Sequence, residues 1–201
     1  MKNAVMISIQ PKWCELIASG AKTIEVRKTR PQIETPFKCY IYQTQHRERN
    51  GRTYSDGKVI GEFVCKKITG TALWRLKGNT GRCAERTEFE KMVPQLACLS
   101  LDEIERYAGS ETRMIYCWHI SDLVIYDDPY DLNWYVVEGD CDCVNCKKCS
   151  WFNRGNGYNV EDDCDLGYES IYRKETLKPL FRPPQSWCYI YDLEAKDGDQ
   201  K

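Results

Sequence analysis

Ser19-Gly20-Ala21-Lys22-Thr23-Ile24-Glu25-Val26-Arg27-Lys28 reads as the end of a helix, a tight turn and the start of a strand. Upstream, Pro11 suits a first helical turn, where its missing N–H would lack an intrahelical partner anyway, and Trp13, Leu16 and Ile17 recur at helical spacing. Gly20 then stops the helix, because glycine accepts the left-handed conformation that reverses the chain. From Thr23 the period becomes two: Thr23, Glu25 and Arg27 share one strand face, and Ile24, Val26 and Lys28 the other. The apolar pair faces a core and leaves Lys22, Glu25 and Arg27 as a compact polar cluster that a small polar ligand could bridge. An exposed ion pair of this kind is worth ~0–1 kcal/mol, so replacing Lys22 is expected to leave stability nearly unchanged.

Outward from this stretch, Val5 to Ile9 forms a short strand ahead of the helix, and Pro31 and Pro36 bracket a loop behind it. Lys38 to Thr44 alternates as a strand, with Tyr40, Tyr42 and Thr44 on one face; that face is a candidate pocket wall. A polar loop from Gln45 to Gly57 follows, marked by the turn pairs Asn50-Gly51 and Asp56-Gly57. Its Arg47, Arg49 and Arg52 are the candidate phosphate contacts, since guanidinium groups bind phosphate bidentately. Val59 to Ile68 continues the sheet, with Gly61 marking a bulge or a close approach and Glu62 a second candidate carboxylate. Gly81 to Arg106 turns helical, interrupted at Pro94, and Ser100 with Glu103 caps a second helix that Gly109 ends. Met114 to Ile120 is an apolar strand in which His119 reads as a hydrogen-bonded structural residue. Trp187 to Leu193 closes the sheet, and the stiff Arg182-Pro183-Pro184 approach fixes where Gln185, Ser186 and Trp187 point.

Five of the twelve cysteines, Cys141, Cys143, Cys146, Cys149 and Cys164, follow C-x-C-x2-C-x2-C-x14-C. Thiolates three positions apart grip one tetrahedral ion from a single turn, so Cys146, Cys149 and the returning Cys164 are three ligands of a structural zinc. Cys143 or Cys141 is the fourth, and spacing does not choose between them. The surrounding segment is rich in Gly, Asn and Asp and poor in aliphatic residues, so it needs the ion to fold. Four sulfur ligands leave no open position for catalysis.

Several segments in order resemble the ASCH domain: Ser8-Ile9-Gln10-Pro11-Lys12, the Ser19 to Lys28 stretch, Tyr40-Ile41-Tyr42-Gln43-Thr44, Val59-Ile60-Gly61-Glu62-Phe63, Tyr116 to Ser121 and Arg182 to Tyr189. The likeness is greatest to versions from phages and prophages. It spans nearly the whole chain except the cysteine-rich interruption. The resemblance implies an α+β fold: a small mixed β-barrel of the PUA-like superfold with flanking helices, a cleft beside the first helix, and association with RNA or modified nucleosides. Some compact bacterial members are amidohydrolases acting on N4-acetylcytidine through a lysine matched here by Lys22, a threonine three residues later and a more distant glutamate. Here Glu25 holds the threonine position, and no residue is assigned to the distant glutamate. As an enzyme, the chain would use Lys22 as base or nucleophile and Glu25 to handle the proton.

The 201 residues suit one domain, 1–201, carrying the zinc module at 138–175 as an insert. With 29 basic against 30 acidic residues the net charge is −1, which leaves no global field for a polyanion, so a nucleic-acid contact is a local patch. No apolar run approaches the ~20 residues that span a bilayer, and without a leader the expectation is a cytoplasmic protein with reduced thiols. The expected ligand is RNA or a modified nucleoside, held in a cleft by Lys22, Glu25, Arg27, Tyr42, Gln185 and Trp187. A protein partner bound through the zinc module, as a phage protein binds a host factor, is a further expectation.

Overall fold

The computed structural model describes residues 4–47, 53–77, 86–109, 113–138 and 177–191. The chain begins with β1 (Ala4–Ile9), α1 (Pro11–Ala18), β2 (Ile24–Arg27) and β3 (Phe37–Gln43). A small hairpin, β4 (His46–Arg47) and β5 (Thr53–Ser55), precedes the long β6 (Lys58–Ala72). Helices α2 (Leu73–Lys77), α3 (Glu88–Ala97) and α4 (Leu101–Ala108) lead to β7 (Met114–Tyr130), a 3-10 turn (Leu132–Trp134), β8 (Val136–Glu138), β9 (Leu177–Pro179) and β10 (Trp187–Ile190). Six strands form one mixed sheet in the order β10-β1-β3-β6-β7-β2, in which only β1 and β3 run parallel.

Because side chains alternate along a strand, β1 feeds two cores at once. Val5, Ile7 and Ile9 join Cys39, Ile41, Phe63, Cys65 and Trp118 on the inner face, closed by Cys14 and Ile17 of α1. Ala4 and Met6 join Tyr40, Tyr42, Val59, Leu132 and Ile190 on the outer face. A third core packs Ile24 and Val26 of β2 against Leu73, Leu76, Val93, Ala97 and Ile104 from the three later helices. β2 is therefore covered on both faces, which corrects the expectation of an exposed charged face: all four of its residues are buried.

The two end strands of the sheet meet through side chains. Trp187 Nε1 of β10 donates to Thr29 Oγ1 just beyond β2 at 2.9 Å, and Arg27 of β2 donates to Ser186 Oγ and to the Ser8 carbonyl. The local signals fall where their chemistry places them. Gly20 and Gly109 are left-handed at φ 75° and 77°, and Thr87 with Glu90 and Ser100 with Glu103 form reciprocal capping boxes. A Cβ on Gly61 would stand 2.3 Å from the Val124 carbonyl oxygen, so the strands approach closely there. Pro94 is a correction: it lies inside α3, which continues to Ala97. Lacking an N–H, Pro94 forfeits one helical bond without ending the helix.

Cys141, Cys143, Cys146, Cys149, Cys164 and the rest of 139–175 lie outside the described residues, as do Arg49 and Arg52, and the Arg47 side chain is likewise not described. The residues that flank that stretch are described: Glu138 of β8 stands opposite Leu177 of β9 in an antiparallel pair, which forms a two-stranded sheet separate from the six-stranded one. Among the described residues no helix is long and apolar enough to cross a membrane.

Candidate functional site

The end of α1 delivers the first functional side chain. Gly20 N–H donates to the Ile17 carbonyl and Lys22 N–H to the Leu16 carbonyl, both at 2.9 Å, which folds Lys22 back against the helix it has just left. β2 then pairs with β7 so that Glu25 stands opposite Trp118 and Arg27 opposite Tyr116. Cross-strand partners point to the same side of a sheet. Glu25, Arg27, Tyr116 and Trp118 thus share the inner face.

Three charges meet there. Lys22 Nζ lies 3.2 Å from Glu25 Oε2 and donates to the Ala97 carbonyl at 2.8 Å. Arg27 Nε lies 3.0 Å from Glu25 Oε1, Nη2 donates to the Ser8 carbonyl at 2.7 Å and Nη1 reaches Ser186 Oγ at 3.3 Å. The Arg27 Nε–H has no aligned acceptor, so its contact with Glu25 is coulombic rather than a directed hydrogen bond. Lys22 is 2% exposed, Glu25 8% and Arg27 7%. Their formal charges, +1, −1 and +1, sum to +1 in a setting nearly closed to water.

Trp118, fully buried, completes the inner face, and its indole N–H has no partner among the described residues. A buried donor left unpaired costs ~1–3 kcal/mol. The Trp118 ring meets Phe37 edge-on and Trp187 at a tilt, with ring centres 5.9 Å apart in each case, and Trp187 packs edge-on against Tyr189 at 5.3 Å. Trp13 of α1 lies beneath Lys22, whose Nζ is 5.5 Å from the ring centre. The neighbouring thiols are held in the protonated form, which is the weaker nucleophile. Burial, and secondarily the charge of Glu25, pushes Cys14 up to about 12, and burial pushes Cys117 up to about 12.

Of the residues anticipated from sequence, Lys22, Glu25 and Arg27 come together, and Trp187 adjoins them through Trp118. Gln185 is exposed on the approach to Ser186. Tyr42 is not among them: it packs in the outer-face core with Met6, Val59 and Leu132. Glu62 is also remote from the trio, accepting from Tyr126 Oη at 2.6 Å with Lys38 Nζ at 3.4 Å. His119 is a structural partner, bonded through Nε2 to Thr69 Oγ1 at 3.0 Å and stacked on Phe89, and burial lowers its pKa. Trp118 and Ser8 were missed, and Ser186 was singled out for its direction but given no role in the site. The Ser8 contact runs through a backbone carbonyl, which leaves no sign in the side-chain pattern. Among the described residues no group of three His, Cys, Asp or Glu side chains is arranged to hold a metal.

The sequence pattern of the ASCH domain matches residues 7–138. Among solved structures the chain is similar to the crystal structure of ASCH from Zymomonas mobilis, with 18% identity and a TM-score of 0.54 over 98% of this chain and 93% of that one. A variant of the same Zymomonas mobilis protein with tyrosine changed to phenylalanine gives 17% identity and a TM-score of 0.53 over 97% and 95%. Likeness at this level of identity speaks for the fold. No curated protein sequence matches the chain.

Proposed function

The chain belongs to the ASCH domain family, and from that premise we propose that it recognises RNA or a modified nucleoside on the inner face around Lys22, Glu25, Arg27, Trp118 and Trp187. One observation carries the reading: among the described residues the indole N–H of Trp118 is buried without a partner, on the same strand row as Glu25. A nucleobase supplies what is missing there, a carbonyl acceptor for the indole and a flat face for the Trp187 ring. The surplus positive charge of the trio favours the same electron-rich atoms. Lys22 adds to this, since its ammonium, a donor of three N–H groups, meets two oxygens among the described residues, Glu25 Oε2 and the Ala97 carbonyl.

Hydrolysis of an N4-acylated cytidine is the second reading. It is favoured by the 3.2 Å contact between Lys22 and Glu25, an amine and a carboxylate within proton-transfer reach. The proposal also gives residues 138–175 one structural zinc, held by Cys146, Cys149, Cys164 and either Cys143 or Cys141. Cysteine spacing supports it, as does the antiparallel pairing of Glu138 with Leu177, which brings the two ends of the segment together. Reduced thiols of this kind belong to a cytoplasmic protein.

The test is titration of wild-type and Trp118→Phe proteins with single-stranded RNA, the four ribonucleosides and N4-acetylcytidine, with released acetate measured in parallel. The expected outcome is saturable binding by the wild type, weakened about tenfold in a folded Trp118→Phe protein that has lost only the N–H donor. Catalytic release of acetate selects the hydrolytic reading. Neither binding nor release overturns both.

A further inference from the structure

The loop between β2 and β3 borders a groove of about 550 Å³, lined by residues 30–35 and by Ile68 of β6. That volume falls within the ~300–1,000 Å³ of small-molecule sites. Ile68 is the register partner of Trp118, and Trp118 is the partner of Glu25. Groove wall, unpartnered indole and carboxylate therefore form one row across β6, β7 and β2 on a single face. The groove adjoins the site just described through Ile68, the register neighbour of Trp118.

The loop is tied to the aromatic residues of β10. Trp187 Nε1 donates to Thr29 Oγ1, and Gln32 N–H donates to Tyr189 Oη at 2.7 Å. Pro31 is buried and Ile33 packs against the inner core, so the groove is shaped before any ligand arrives. Arg30 stands exposed at its rim. Its guanidinium carbon lies 5.9 Å from the centre of the Tyr116 ring, and Tyr116 is the register partner of Arg27. Among the described residues Arg30 forms no ion pair. A ring holds this cation in place without neutralising it. Glu34 shares the lining, so the groove is not a general anion sink, and Arg30 is the one cation among its lining residues.

Taking the inner face as a base-recognition site, we propose that the groove is the subsite for the adjoining nucleotide and that Arg30 binds the phosphate between the two. The ligand is then a single strand of RNA rather than a free nucleoside. A guanidinium poised over a tyrosine suits this role, because it offers a bidentate fork to the phosphate while the ring fixes its position.

The experiment measures affinity for a mixed-sequence single-stranded RNA hexamer and for an equimolar mixture of the four ribonucleosides, using wild-type, Arg30→Gln and Lys28→Gln proteins. Arg30 and Lys28 are both exposed, so neither change threatens the fold. The wild type is expected to prefer the hexamer, and Arg30→Gln to reduce that preference about tenfold and lower the salt slope of hexamer binding by ~0.7. Lys28→Gln, a nearby charge outside the groove, should leave the preference where it was. An unaltered preference in Arg30→Gln, or an equal loss in Lys28→Gln, overturns the groove assignment and leaves the base site standing. Failure of the wild type to bind either probe overturns the base site and the groove together.

Discussion

Glu25 sits between two cations, so removing it and removing one of them are unequal perturbations. Glu25→Gln leaves Lys22 and Arg27, 2% and 7% exposed, facing a neutral amide. Stripping the partner from a buried charge costs ~3–5 kcal/mol. Lys22→Met keeps the aliphatic stem and leaves Glu25 still paired with Arg27 at 3.0 Å; its main loss is the donor to the buried Ala97 carbonyl, worth ~1–3 kcal/mol. Glu25→Gln should therefore be the worse of the two by about 2 kcal/mol, and for a chain of this length its melting temperature should drop by roughly 6–20 °C. Urea unfolding followed by tryptophan fluorescence under reducing conditions measures both, with equal slopes confirming that the midpoints can be compared. If both variants lose less than ~1 kcal/mol, the trio behaves as an open surface pair and the burial argument fails. Lys22→Met proving as costly as Glu25→Gln would refute the charge count.

Two further outcomes follow from other parts of the chain. Glu90 accepts from Arg75, Thr71 and Thr87, and chiefly the Arg75 bond holds its carboxyl down at about 2 against an ordinary 4.5. A depressed carboxyl adds stability that is fully present above pH ~4.5 and is lost as the pH falls towards 2, so urea stability should decline across that window. Glu90→Gln should flatten the decline by ~1–2 kcal/mol, allowing for water around Arg75. Elemental analysis of freshly reduced protein should find about one zinc per chain. Cys146→Ser or Cys149→Ser should release it while the barrel's own urea transition persists, and metal-free wild-type protein would count against the site.

What was legible in the sequence was local. Gly20, Gly109 and the two capping boxes act within a few residues of themselves, and the two-residue period after Thr23 separates Ile24 and Val26 from Glu25 and Arg27 as the strand does. The burial of Glu25 and Arg27 was not legible. It depends on β7 closing the inner face beside α1 and on Val93 and Ala97 of α3 covering the other, and the β7 and α3 contacts come some 70 to 90 residues further along the chain. Tyr42 shows the same limit: alternation gives its face, but not which face the site occupies. Trp118 lies inside a segment that carried the family resemblance, yet its significance depends on an absence, a missing acceptor, that only the packed interior reveals.

Two buried carboxylates in this chain are treated differently. Glu90 is met by one guanidinium and by hydroxyl and amide donors, an arrangement that caps α3 and leaves no charge over. Glu25 is met by two cations, which leaves one positive charge in excess beside an indole donor with no acceptor. Stability alone favours neither feature. A buried ion cluster can often be exchanged for apolar side chains at no loss, and an unpaired donor is a direct cost. Departures of this kind collect where a protein acts, and both fall on the β2–β7 pairing, braced from β10 by Ser186 and Trp187. An acceptor-rich ligand entering there would satisfy the indole and offset the surplus charge in one step. Carbonyl and phosphate oxygens are the atoms that do both, and the RNA proposed as ligand carries them side by side.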